Sequence, residues 1–283
     1  MIAKPCMPTF GAAGEVAAFT HSGEALWTRN VGAYPTSSSF GTGSSLATHA
    51  GNVFLQNFTK KSADLYCLDG QTGEINWQNQ RNKNETSWSS PMIWTNAVRT
   101  ELVVSGGQQV DSFDPTTGDP LWTLKNVKAA TACSVAVDSS NLYFGGSDPF
   151  SSGPLFAVKA GGEGDISPAK KNAEFEQCAW LAKRSAPGMA SPVSSGSLVY
   201  VADKNILRCY NASTGERVYQ ERVPDIGMVN ASPIIVGDRI LLVDEAGKAA
   251  WVKTGPQFEV VGGGDLDDTV WATPAVANGA IFI

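Results

Sequence analysis

The sequence lacks any long apolar segment, since no stretch approaches the roughly 20 residues that a helix needs to span a bilayer. Its first ten residues, M-I-A-K-P-C-M-P-T-F, lack the apolar region of a signal peptide. It also lacks any run of basic residues, and its formal net charge is −6. We therefore expect no membrane span, and neither nucleic acid nor an anionic membrane surface as a partner.

Histidine is scarce and cysteine is dispersed. His21 and His49 are the two histidines, and no G-x-S-x-G motif accompanies them, although a hydrolase triad built from distant residues stays open. The five cysteines form no C-x-x-C pair, and Cys67 and Cys209 are expected to be free and buried. The acidic stretch Gly262–Asp268 lacks the spacing of a calcium loop, so we expect a solvated connection there and no metal site.

Helical periodicity is nearly absent as well. Short runs of Val, Ile, Leu and Phe are separated by turn residues, among them 29 glycines and 15 prolines. This pattern is typical of short strands joined by turns, and it predicts an all-β fold.

One eleven-residue frame recurs along the chain, for example as C-L-D-G-Q-T-G-E-I-N-W. It opens on a small residue and ends on an aromatic one, with a glycine four positions before the aromatic. Apolar alternation around this glycine indicates a hairpin, whose turn requires a positive φ. The aromatic residues of the four clear copies are Trp27, Trp77, Trp122 and Tyr219, and degenerate copies end near Trp180 and Phe258.

A second motif recurs with the first. A-S-P-V begins at Ala190, A-S-P-I at Ala231 and A-T-P-A at Ala272, at intervals of 41 residues, and S-S-P-M at Ser89 belongs to the same series. A period near forty with several short strands per unit predicts a β-propeller with one four-stranded antiparallel blade per repeat.

The repeats divide the chain, interpreted as a single domain over 1–283, into five complete units and two half-units. The third complete unit is enlarged by a long loop between its last two strands. The half-units are complementary, and pairing them would close a six-bladed ring without an exposed edge. The alternative is a fragment, or an N-terminally shortened form, of a seven- or eight-bladed ring. The complete units are 34–80, 84–125, 129–184, 185–223 and 224–264, and the half-units are 1–30 and 269–283.

The frame Ala-x-Asp-x-x-Thr-Gly-x-x-x-Trp, coupled to Ser-Pro strands, resembles the tryptophan-docking repeat of PQQ-like (quinoprotein-type) β-propellers. The resemblance covers essentially the whole chain. Segments such as F-G-A-A-G-E-V-A-A-F are similar to the PQQ-like repeat proteins common in planctomycete-type bacteria, which are generally exported. The resemblance implies a periplasmic or otherwise exported protein, usually with eight blades. It also implies docking between blades by the four aromatic residues Trp27, Trp77, Trp122 and Tyr219.

The same resemblance raises the question of a quinone cofactor. Quinoprotein alcohol dehydrogenases carry adjacent cysteines beside the cofactor and Glu, Asn and Asp ligands for calcium. No two cysteines are adjacent here, and no such ligand set can be matched to this sequence. We therefore expect no cofactor, with PQQ and calcium disfavoured, and we assign no catalytic residue.

The candidate site is one mouth of the central channel, because in a propeller the loops that enter the innermost strands surround it. These loops place Trp88, Met189, Asn230 and Trp271 around one opening. Exposed aromatic and methionine side chains suit a protein, peptide or small ligand. The alternative is that both tryptophans fill the channel.

Two classes of function follow. The first is a non-catalytic, monomeric binding or scaffold propeller, which resembles the outer-membrane assembly lipoprotein propellers. The second is an enzyme that uses the central funnel, either a quinoprotein-like oxidoreductase or an unrecognised hydrolase.

Overall fold

The computed structural model describes residues 14–32, 43–59, 62–81, 86–128, 132–148 and 151–283. These residues form 25 β-strands and no α-helix, so the all-β prediction is confirmed. No helix in the described part of the chain is long and apolar enough to cross a membrane.

Five sheets contain four strands in sequential antiparallel order, which is the blade pattern that the repeats predict, and one of the five has an additional short parallel strand. The first contains β3 (Ala47–His49), β4 (Asn52–Phe58), β5 (Ala63–Asp69) and β6 (Ile75–Gln80). The second contains β7 (Met92–Thr95), β8 (Thr100–Gly106), β9 (Gln109–Phe113) and β10 (Pro120–Leu124). The third contains β11 (Ala136–Val137), β12 (Asn141–Asp148), β13 (Ser151–Lys159) and β15 (Cys178–Ala182).

The last two complete sheets repeat this pattern. The fourth contains β16 (Val193–Ser195), β17 (Leu198–Asp203), β18 (Ile206–Asn211) and β19 (Arg217–Arg222). The fifth contains β20 (Ile234–Val236), β21 (Arg239–Val243), β22 (Lys248–Lys253) and β23 (Val260–Asp265). Each predicted complete unit contains one of the five sheets. The starts of three units, residues 34–42, 84–85 and 129–131, lie outside the described residues, as do residues 1–13 of the first half-unit.

The core lies between neighbouring sheets. Trp94 and Leu124 of the second sheet share one buried cluster with Phe156 and Val158 of the third. Middle strands such as β4 are therefore buried on both faces, whereas the outermost strand β6 alternates between exposed and partly buried side chains.

An aromatic ring on the outermost strand lies over a turn of the following sheet. The Trp77 indole donates a hydrogen bond to the Pro115 carbonyl, at 3.2 Å, and its ring is 5.9 Å from that of Phe54. A Cβ atom added to Gly118 in that turn would come within 2.8 Å of the Trp77 ring. The same relation joins Trp27 to Gly73 and Trp180 to Gly215.

The other two predicted docking positions have different surroundings. The Trp122 indole donates to Glu101 Oε2 in its own sheet, at 2.7 Å, and its ring faces Gly162. The Tyr219 ring meets Phe258 edge-on, with the centroids 5.7 Å apart, and Phe258 lies on the connection between β22 and β23 of the fifth sheet.

The long loop predicted in the third unit runs between β13 and β15, and we call residues 160–177 the insertion. Its strand β14 (Gly164–Asp165) pairs in parallel with the outermost strand β10 of the preceding sheet. The Lys125 ammonium and the Asp165 carboxylate, 3.2 Å apart, connect the same two segments. The insertion thus lies against the second sheet, where its Gly162 replaces a turn glycine beneath Trp122.

The two half-units form separate two-stranded sheets. One contains β1 (Glu15–Phe19) and β2 (Ala25–Asn30), and the other contains β24 (Ala275–Ala277) and β25 (Ala280–Phe282). Among the described residues, neither pair is hydrogen-bonded to the other. Residues 1–13 of the first half-unit lie outside the described residues, so closure of a six-bladed ring stays a prediction. Val276 and Phe282 of the second pair are 48% and 59% exposed.

Candidate functional site

A chain of hydrogen bonds connects the innermost strands around the central channel. A serine or threonine lies just before each of these strands, and its backbone N–H donates to the hydroxyl oxygen of the corresponding residue in the next repeat. The N···O distances of the five bonds lie between 2.8 and 3.1 Å. We call these six residues the hydroxyl ring: Ser45, Ser90, Ser134, Ser191, Ser232 and Thr273.

The hydroxyl ring explains the recurring Ser-Pro and Thr-Pro motifs. The hydroxyl oxygen accepts the neighbouring N–H, and the proline that follows brings no N–H of its own that would need an acceptor. All five bonds point in the same direction along the chain. No bond in the described residues joins Thr273 back to Ser45, so the arc of six innermost strands stays open.

The hydroxyl ring lines an open cavity of about 480 Å³. Apolar side chains complete its wall, among them Met92, Val135, Val193 and Ile235. The described lining therefore combines neutral hydroxyls with aliphatic groups, and it contains no carboxylate.

This lining does not fit PQQ with calcium, the cofactor of the quinoprotein enzymes. Calcium requires six to eight oxygen ligands, which in proteins are mostly carboxylates and carbonyls. Within the described ranges, no group of three or more His, Cys, Asp or Glu side chains could hold a metal ion. Asp265 and Asp268 of the acidic stretch instead accept backbone N–H groups of their own turn, at 3.0 and 2.7 Å.

The four predicted mouth residues occupy equivalent positions, two before a member of the hydroxyl ring. Met189 and Trp271 are 51% and 62% exposed. Trp88 is partly buried, and its Cβ and Cδ1 lie within 3.3 Å of the position that a Cβ on Gly43 would take. The Asn230 amide donates a hydrogen bond to the Glu245 carboxylate.

The mouth residues therefore do not converge on one point. None of the four is among the described residues that line the channel cavity, and the alternative that Trp88 and Trp271 fill the channel stays a prediction. Met228, which is 43% exposed, lies in the same loop as Asn230 and was not singled out from the sequence. The methionine of the loop G-M-V-N-A-S-P was the available signal.

The exposed mouth residues share one end of the sheets for a topological reason. In a four-stranded antiparallel blade, the connection from the outermost strand to the next innermost strand lies opposite the turn between the third and fourth strands. Met189, Met228 and Trp271 lie on three such connections. We call this end the mouth face. The docking turns that contain Gly118 and Gly215 lie at the opposite end.

The described cysteines are free thiols that are not prepared for nucleophilic chemistry. Burial raises the pKa of Cys67 to about 11, and that of Cys133 and Cys209 to about 12. A thiol with such a pKa stays protonated at neutral pH, whereas the thiolate is the reactive form. Neither His21 nor His49 is among the described residues that line the channel cavity.

Three solved structures with the same fold represent two kinds of protein. The first is BamB from Moraxella catarrhalis, with a TM-score of 0.66 and 15% identity over 95% of this chain and 73% of that one. The second kind is a dehydrogenase. A europium-containing methanol dehydrogenase matches with a TM-score of 0.58 and 12% identity over 97% of this chain and 78% of that one. The quinohemoprotein alcohol dehydrogenase from Comamonas testosteroni matches with a TM-score of 0.68. The identity is 10%, over 98% of this chain and 60% of that one.

Fold and repeat together define the class: this is a β-propeller built from PQQ-like repeats. The chain belongs to the PQQ_2 family, described as outer membrane protein assembly factor BamB, whose model matches residues 12–176 and 169–257. Among curated protein sequences, none matches this one.

Proposed function

We propose that this chain is a non-catalytic binding propeller that holds a protein or peptide partner on its mouth face. The observation that carries the proposal is the exposure of Met189, Met228 and Trp271 on three connections at the same end of the sheets. Methionine and tryptophan are enriched in protein interfaces, where they supply large apolar contact areas. Exposure of these apolar side chains to water does not stabilise the folded chain.

The family supports this proposal. Its description as an outer membrane protein assembly factor agrees with a protein partner and with an exported location. The neutral lining of the channel cavity also agrees with binding rather than catalysis, because it supplies no general base.

The test is selection of peptide ligands from a random displayed library against the immobilised chain. We expect enriched peptides rich in apolar residues, with micromolar dissociation constants by fluorescence anisotropy. Met189→Asp and Trp271→Asp each place a charge in the contact area and should weaken binding at least tenfold.

Val98→Asp is the matched control. Val98 is 59% exposed but lies between β7 and β8, at the end of the sheets opposite the mouth face. It should leave the affinity unchanged. Selected peptides that bind all three variants equally, or a library without enriched peptides, would contradict the proposal.

A quinoprotein-like oxidoreductase is the second candidate, because two of the similar structures are dehydrogenases. Calorimetric titration with PQQ and calcium, followed by dye-linked oxidation of alcohols and sugars, separates the two functions. We expect no binding at micromolar concentration and no dye reduction. Stoichiometric binding together with alcohol oxidation would replace the binding proposal.

A further inference from the structure

A second pocket lies between the outer strands of the fifth sheet and the connection that enters this sheet. Its volume is about 300 Å³. The connection forms one wall with Pro224, Asp225 and Ile226. Strands β22 and β23 form the other wall, which includes Lys248, Ala250, Val260, the glycines Gly262–Gly264 and Asp265. All of these residues belong to the described part of the chain.

The pocket exists because two cross-strand neighbours have almost no side chain. In the first four complete sheets, the docking aromatic residue pairs with a small residue of the third strand, as Tyr219 does with Cys209. The next pair toward the mouth face carries larger side chains in those sheets: Tyr66–Gln78, Asp111–Thr123, Phe156–Leu181 and Arg208–Gln220. In the fifth sheet, Trp251 pairs with Gly262, and the next pair is Ala250–Gly263.

The space left by this pair faces the fourth sheet. Side chains alternate between the two faces of a strand, so Lys248 and Ala250 share one face of β22. Ala250 belongs to the buried cluster that contains Ile226 and Leu207, a residue of the fourth sheet. Trp251 packs on the opposite face of β22, in a different cluster. The floor of the pocket is therefore apolar.

A buried carboxylate fixes the two walls of the pocket relative to each other. Asp244 accepts the Gly227 N–H at 2.6 Å with one oxygen and the Lys248 N–H at 2.9 Å with the other. The Glu245 N–H donates to the Met228 carbonyl, also at 2.9 Å. The connection that carries the exposed Met228 is thus attached to the fifth sheet.

The charged groups of the described lining lie at the end of the pocket next to the mouth face. Lys248 is the first residue of β22, Asp265 is the last residue of β23, and Asp225 lies on the same connection as Met228. None of the three forms an ion pair with another described residue. The rim of the pocket therefore presents two carboxylates against one ammonium group.

We propose that this pocket receives an arginine or lysine side chain of the peptide that the mouth face binds. The apolar stem of such a side chain packs on Ala250 and Gly263, and its cationic head lies at the rim with Asp225 and Asp265. A purely apolar side chain leaves the two carboxylates without a partner, and an anionic one is repelled by them. The inference rests on the proposed function, because it names the chemistry of the partner beside Met228.

The test is a titration of the isotope-labelled whole chain, followed through its amide NMR signals. The probes are the N-acetyl methylamides of arginine, lysine, norleucine and glutamate. We expect saturable shifts of the Gly262, Gly263 and Gly264 amides with arginine or lysine, with a millimolar dissociation constant. Norleucine, which has the stem without the charge, should bind at least threefold more weakly, and glutamate should not bind. Equal affinity for norleucine and the cationic probes would overturn the proposal.

Asp225→Asn removes one charge from the rim and should weaken binding of the arginine probe about threefold, as expected for one exposed charge pair. Asparagine tolerates the left-handed backbone at this position, where φ is 57°. Asp267→Asn is the matched control, because Asp267 is also exposed, with a φ of 54°, but is not among the lining residues. It should leave the dissociation constant unchanged. Equal losses in the two variants would assign the binding to the general charge of this surface and overturn the pocket.

Ala250→Leu fills the space beside Gly263 and should abolish the glycine shifts, while unchanged amide signals outside the fifth sheet show that the variant is folded. The pocket and the proposed function fail separately. Library peptides that bind, together with cationic probes that shift none of the three glycines, would overturn the pocket alone. Saturable glycine shifts together with a library without enriched peptides would contradict the peptide partner and leave the pocket as a cation site.

Discussion

At the scale of single residues, the glycine of each docking turn meets two separate demands. One is a positive φ, which is +71° at Gly215 and +88° at Gly23. The other is room for an aromatic ring, which applies at Gly215 but not at Gly23. A Cβ at Gly215 would be 2.5 Å from the Trp180 ring, whereas a Cβ at Gly23 would meet nothing within 4 Å.

This difference allows the docking contact to be measured. Gly23→Ala should cost about 1–2 kcal/mol, because only the left-handed backbone is strained. Gly215→Ala should cost at least about 1 kcal/mol more, because Trp180 must also move. Urea unfolding of both variants gives the two values. Equal losses would show that the ring contact contributes nothing to stability.

The buried thiols give a second prediction at this scale. Burial raises the pKa of Cys133 from 9.0 to about 12, so the unfolded state loses this proton first as the pH rises. The free energy of unfolding is therefore independent of this thiol below about pH 9, and it falls between pH 9 and 12. The expected slope for one thiol is about 1 kcal/mol per pH unit.

Cys133→Ala should remove this part of the alkaline slope. Urea unfolding at pH 7.5, 9 and 10 measures it for the wild type and the variant. Cys178→Ala is the control. Burial also raises the pKa of Cys178, but this side chain is only partly buried, so its removal should change the slope less. A wild-type slope that persists in Cys133→Ala would contradict the assignment.

At the scale of the elements, two kinds of contact hold neighbouring sheets together. The docking aromatic rings act at one end, and the hydroxyl ring acts around the channel. The hydroxyl bonds connect groups that are 41 to 57 residues apart in the chain. The hydroxyl bonds are therefore non-local contacts, each of which closes a large loop of the chain.

Removal of one hydroxyl from the hydroxyl ring should leave one backbone N–H without its hydrogen-bond acceptor. Ser191→Ala deletes the acceptor of the Ser134 N–H, which lies 3.0 Å away, and should cost about 1 kcal/mol. Hydrogen exchange at the Ser134 amide should accelerate. Ser191→Thr should restore protection, because Thr273 accepts the same bond at its own position.

Ser194→Ala is the control for this prediction. The Ser194 hydroxyl also lies at the channel cavity, but it donates to the Val137 carbonyl and accepts no backbone N–H from the part of the chain that the structure describes. Exchange at Ser134 should stay slow in this variant. Equal acceleration in both variants would mean that solvent access, not the hydroxyl bond, controls exchange.

The repeated elements could be predicted from the sequence because their signals are local. A glycine at a fixed distance from an aromatic residue is visible within eleven residues, as in the frame that ends at Trp77. The strand β14 could not be predicted, because two residues carry no periodicity. The side-chain directions of Trp88 and Asn230 also depend on distant partners, Gly43 and Glu245.

At the scale of the whole molecule, the sheet of β24 and β25 presents apolar side chains to solvent. Val276, Ile281 and Phe282 are 48%, 38% and 59% exposed. An apolar edge with free N–H and C=O groups pairs readily with another chain. The sequence predicts a monomer, and this remains a prediction. The exposed apolar edge instead favours association between chains.

Self-association should therefore increase with concentration and depend on this edge. Ile281→Lys places a charge on it and should shift the chain toward the monomer in sedimentation velocity experiments. Val98→Lys adds the same charge at an isolated exposed valine and should have no effect. A wild-type chain that stays monomeric at all accessible concentrations would contradict this prediction.

The one-way order of the hydroxyl ring has a consequence for how such molecules change over evolution. Each repeat brings one amide donor and one hydroxyl acceptor to the ring, and it uses its donor on the repeat that follows. A gene duplication that adds one repeat therefore adds a donor and an acceptor in equal number, and a deletion removes them equally. No existing bond needs a new partner type in either event. The number of repeats in such a molecule can thus change by whole units, while the hydrogen bonds of the hydroxyl ring keep the same donor and acceptor types.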